Sequence, residues 1–137
     1  MRAYEMKEIT GIIWNPVIYI IQFFMKRFEL YEHPHSFPKI KYRREFLIKS
    51  PEKTIKEGFA NCINKALLFY CNYFWYFRYN GCFSGIGYFK RPNSFHSDFV
   101  VLDREIYTVK DKGKYTLIED KEFYFIMPKK IYKVQFK

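Results

Sequence analysis

The spacing of hydrophobic positions along this chain changes near residue 82. Upstream, apolar residues come in runs of helical length. The first is GIIWNPVIYIIQFF, residues 11–24. Asn15 is placed to cap a helix there, with Pro16 at its first position. The pattern carries that helix to about Tyr31, just before HPHSFP. Residues 1–13 are mixed, and residues 39–49 read as extended or irregular. Ser50-Pro51-Glu52-Lys53 supplies the cap, the first-turn proline and the acid of a helix start. Gly58 should stop this short helix near Glu57. Asn61 then caps another helix that opens at Cys62, runs to about Tyr79 and stops at Asn80-Gly81. It is apolar nearly all the way round, which predicts a central helix buried on most sides.

From Cys82 onward the runs shorten and fill with β-branched and aromatic residues. CFSGIGYF, FHSDFVVL, EIYTVK, KYTLI, EFYFIM and IYKVQF follow one another at hairpin spacings. Between them lie Arg91-Pro92-Asn93-Ser94, Asp103-Arg104, Asp111-Lys112-Gly113, Glu119-Asp120 and Pro128-Lys129. These predict an antiparallel sheet. Helices first and strands second make an α+β fold: N-terminal helices, including the buried one opening at the cysteine, packed on a C-terminal antiparallel sheet. The length, 137 residues, suits a single domain over residues 1–137.

Composition narrows the picture. Hydrophobic residues are 49% and aromatics 23%, enough apolar surface to exclude disorder. Residues 11–24 fall short of the roughly 20 needed to span a bilayer, and Asn15-Pro16 and Gln22 interrupt them. No transmembrane segment is expected; this is a core-facing helix, with peripheral membrane contact as the alternative. The formal charge of +10 suits nucleic acid, anionic lipid or an acidic protein as partner. The basic residues are spread along the chain, however, and the densest cluster, KIKYRREFLIK, alternates with apolar positions. Nucleic-acid binding is therefore not favoured. Three cysteines, an odd and sparse count, argue against a disulfide framework and for a reducing, cytoplasmic setting. Glu5 and Glu8 break any signal-peptide pattern at the start. His33 and His35, beside prolines, read as solvated loop histidines rather than a metal pair.

The candidate chemistry centres on Cys62. A thiol attacks as its thiolate, which a helix N-terminus and a nearby imidazolium favour. A backbone N–H of the first turn can also stabilise an oxyanion. His96, near the start of a strand expected beside the helix, is the candidate base. A third polar residue must orient its ring. Asp111 is the first choice, because it ends the neighbouring strand of the hairpin. Asp98, with the same strand parity as His96, is the alternative. Asn61 is the candidate oxyanion helper, with Tyr42 and Trp14 as alternatives. Cys71 and Cys82 read as structural, and Asp103 as solvated.

The order Cys, His, Asp on helix, strand and strand resembles the transglutaminase-like cysteine proteinase superfamily, and in particular its compact bacterial members. The residues that carry the resemblance are SPEKTIKEGFANCINKALLF and HSDFVVLDREIYTVKD, spanning roughly residues 50–113. Asn64 stands where the family carries an acid soon after the nucleophile. The resemblance implies a thiol-dependent acyl-transfer enzyme, a cysteine peptidase or amidase acting on a protein or peptide amide through a Cys62-His96-Asp111 triad. It implies no metal and no cofactor. The alternative is a catalytically silent basic protein that binds nucleic acid or an acidic protein, for example a viral inhibitor of a host factor.

Overall fold

The computed structural model describes residues 2–110 and 114–137. Among them, three helices pack against one face of a seven-stranded antiparallel sheet, an α+β fold. The helices are α1 (Pro16–Arg27), α2 (Pro51–Glu57) and α3 (Cys62–Tyr79). The strands of the large sheet are β1 (Tyr4–Glu8), β4 (Phe83–Arg91), β5 (Ser94–Leu102), β6 (Ile106–Lys110), β7 (Lys114–Leu117), β8 (Glu122–Ile126) and β9 (Ile131–Phe136). Two short strands, β2 (Lys41–Tyr42) and β3 (Phe59–Ala60), pair in parallel beside them.

Local chemistry explains the helix starts. Asn15 accepts from the Val17 N–H ahead of α1, Ser50 from Lys53 ahead of α2, and Asn61 from Asn64 ahead of α3. Gly58 closes α2 at φ +78°, a left-handed conformation that disfavours a side chain. In one respect α1 departs from the sequence pattern: it ends at Arg27, not near Tyr31. Phe28 turns extended, and the chain peels away so that the Tyr31 N–H reaches the Cys71 carbonyl and its hydroxyl donates to Glu52. Tertiary partners there replace another helical turn.

The sheet order is β1-β9-β8-β4-β5-β6-β7. All six predicted strands form, and a seventh, β1, arises from the mixed N-terminal residues by pairing with β9. The β4 strand lies at the middle, between its hairpin partner β5 and the distant β8. One face of the sheet carries Ile86, Tyr88, Phe99 and Val101 against α3. The opposite face carries Phe89, Val100, Phe125 and Val134, all essentially buried although no helix covers them. The sheet buries them by coiling on itself. Its two edges meet where Arg2, preceding β1, donates to the carbonyl of Ile118, just past β7, at 2.7 Å. Gly85 and Gly87 on β4 make room inside the coil. A Cβ at either position would lie under 3.0 Å from the Phe125 or Phe89 ring.

Candidate active site

Cys62 is the first residue of α3, half-buried, where the geometry of a helix leaves its N–H without a carbonyl partner within the helix. The helix lies across β4 and β5. His96 is the third residue of β5 and Asp98 the fifth, so both side chains leave the strand on the same face, the inner face of the coil. His96 Nε2 lies 2.7 Å from Asp98 Oδ2. That pairing leaves Nδ1 as the ring nitrogen for another partner, and Cys62 is close enough to the ring to raise its pKa. The hydrogen bond to Asp98, and after it the one to Cys62, hold the imidazole well above its ordinary value, at about 9, against the opposing pull of partial burial.

The β5–β6 pairing covers only Val100 to Leu102. The earlier part of β5 is paired with β4. Phe89, buried at 2% exposure, sets its ring 6.2 Å from the imidazole and stacks on Phe123 behind it. A cleft of about 240 Å³ opens beside the pair at this mouth of the coil, lined by His96, Asp98, Phe89, Arg91, Thr108 and Asp120 among others. A larger cavity of about 1110 Å³, lined by Met6, Phe83, Leu102, Phe125 and Arg104, lies at the far end of β5 and touches none of these groups.

Asp98 is thus the carboxylate found on the ring; Asp111, the first choice from sequence, lies outside the described residues. Asn61 caps α3 through Oδ1, and its Nδ2 donates to the Glu45 carbonyl at 3.2 Å, leaving one amide hydrogen uncommitted. Cys71 and Cys82 are buried. Burial pushes the Cys71 thiol up to about 12 and raises Cys82 as well, so both are held as inert thiols. Asp103 sits exposed in the turn after β5, where its N–H bonds the Glu105 carbonyl. His33 and His35 are exposed loop residues.

A buried polar network behind Cys62 is not visible from the sequence. Glu45 accepts from the Asn61 N–H at 3.1 Å, from Asn64 Nδ2 at 2.9 Å and from Lys49 Nζ at 2.7 Å. Burial alone would raise the Glu45 carboxyl, but these donors outweigh it and hold it low. Asn64, fully buried, also accepts from the Lys49 N–H and donates to the Leu47 carbonyl. Lys49 adds a 3.3 Å contact to Glu57 and sits 4.1 Å from the centre of the Phe59 ring. The loop of residues 43–49 is thereby clamped onto the first turn of α3. The nearest sequence signal was Asn64 in place of the family's acid. Glu45 carried no signal, because its partners on α3 and at its cap, Asn64 and Asn61, lie 19 and 16 residues away.

No protein family, no curated protein and no solved structure matches this chain.

Proposed function

We propose that the chain is a thiol-dependent acyl-transfer enzyme with Cys62 as nucleophile, His96 as acid and base, and Asp98 as the group that orients the ring. The observation that carries this reading is the His96–Asp98 pair, Nε2 to Oδ2 at 2.7 Å, beside Cys62 at the N-terminus of α3. The Cys62 sulfur attacks an amide carbonyl carbon, and the negative charge moves to the oxygen, where the Cys62 N–H can meet it. The tetrahedral species collapses as the His96 imidazolium gives its proton to the leaving nitrogen. The amine departs and a thioester remains. Water, or an amine, then loses a proton to His96 and attacks the thioester, and the released sulfur closes the cycle. Asp98 acts by keeping the proton-bearing Nε2 aimed away from the sulfur. A protein or peptide amide is the substrate class, on the order of Cys62 before His96 that resembles transglutaminase-like cysteine proteinases.

Alkylation tests the reading. Iodoacetamide near neutral pH should label Cys62 well ahead of Cys71 and Cys82, and His96→Ala should slow that labelling by about tenfold or more. Equal, slow labelling of all three thiols would sink it. Exposed Lys41, Arg43 and Arg44 favour the second reading, a basic binding protein without chemistry. That reading requires Cys62→Ala to keep full biological activity, and binding to a polyanion to fall steeply with salt.

A further inference from the structure

The rim around Cys62 and His96 is apolar, aromatic and basic at once. Phe46 is 96% exposed and Leu47 80%, yet their backbone is clamped by Asn64 and Glu45 onto the turn that holds Cys62. Two large apolar side chains are therefore held out in water on a fixed support, at a cost that burial in the protein's own core would have avoided. A second outcrop lies on the other side. Asn15 Nδ2 donates to the Tyr88 hydroxyl at 2.8 Å, and Tyr88 stacks on Phe95, the neighbour of His96. This fixes the adjoining Trp14, 93% exposed, to the same end of the sheet.

The charge around these outcrops has one sign. Lys41, Arg43, Arg44 and Lys90 are exposed there. The nearby carboxylates Glu45 and Glu57 both face Lys49, and Asp98 faces His96. Tryptophan, phenylalanine and leucine standing among unneutralised lysines and arginines match the chemistry of a membrane interface. There, aromatic rings sit at headgroup depth and cations meet anionic lipid.

We propose that this end of the molecule docks on an anionic lipid surface through Trp14, Phe46 and Leu47, with Arg43 and Arg44 meeting the phosphates. The site would then take its acyl substrate from a membrane-bound molecule. That last step rests on the proposed function; the docking does not.

The test uses the full chain carrying Cys62→Ala, so that no turnover intervenes. Vesicles of phosphatidylglycerol and phosphatidylcholine should sediment the protein at low salt, and vesicles of phosphatidylcholine alone should do so poorly. The double variants Phe46→Ser with Leu47→Ser, and Arg43→Glu with Arg44→Glu, should each bind about tenfold or more weakly. All four side chains are exposed, so folding should survive. Tryptophan emission should shift to the blue on vesicles, and Trp14→Phe should remove the shift. Three outcomes overturn the docking: no sedimentation with the anionic vesicles, equal binding by the Phe46/Leu47 variant, or a blue shift that survives Trp14→Phe. Tighter binding to a short RNA than to the vesicles would also overturn it, and would make the basic rim a nucleic-acid surface. Slow labelling of Cys62 in the unmutated chain, with vesicle binding of the Cys62→Ala chain intact, would remove the enzyme reading alone.

Discussion

Residues two apart on a strand share a face, and His96 and Asp98 use that spacing to form an ion pair within one strand. The dominant cause of the raised imidazole is the Asp98 hydrogen bond. Asp98→Asn should therefore bring the His96 midpoint down from about 9 toward the ordinary 6.5, read by NMR titration of the ring. A midpoint that stayed near 9 would mean that another group holds the proton. The sign for stability follows from the direction of the shift. A group whose folded value is raised contributes fully below the unfolded value and loses that contribution as pH passes through the folded one. The stability difference between the wild type and Asp98→Asn in urea should be largest below about pH 6.5 and fade by about pH 9. The ring is more than a third exposed, so solvent reduces the size of the effect but not its sign.

Among the elements, α3 depends most on a partner distant in sequence. Its cap, Asn61, is local, but the N–H of that cap and the side chain of Asn64 are satisfied by Glu45. Asn64 must both accept, from Lys49, and donate, to Leu47 and Glu45. An aspartate there can accept but not donate, and it would set a second carboxylate against Glu45 in a buried position. Asn64→Asp should cost about 2–4 kcal/mol in urea unfolding. A change under about 1 kcal/mol would show that water reaches the site and that the clamp is not what fixes the loop.

For the molecule as a whole, the coil of the sheet makes two cores from one sheet. The outer face meets the helices, and the inner face meets itself. Close approach at β4 permits this, since a Cβ at Gly85 would lie 2.5 Å from the Ile126 carbonyl oxygen and 2.9 Å from the Phe125 ring. Gly85→Ala should destabilise by about 1–3 kcal/mol in thermal or urea unfolding, because β8 must back away from β4. Unchanged stability would mean that the coil opens without resistance. Among the described residues no helix is long and apolar enough to cross a membrane.

The caps, the helix stops and the alternation of the strands were legible in the sequence because each arises from residues within a few positions of one another. Asn61 capping Asn64, Gly58 ending α2 and the two-residue turn between β4 and β5 are of this kind. So was the cysteine at the mouth of a helix. Long-range contacts decided the rest. The pairing of β1 with β9, the early end of α1, the coil closed by Arg2 on Ile118 and the clamp of Glu45 on α3 all join segments that no local rule relates. Strand parity allowed Asp98 to stand behind His96, but parity is shared by every second residue. The packing of α3 across β4 and β5 brings Cys62 near the same ring, because only folding sets the distance between groups 34 residues apart.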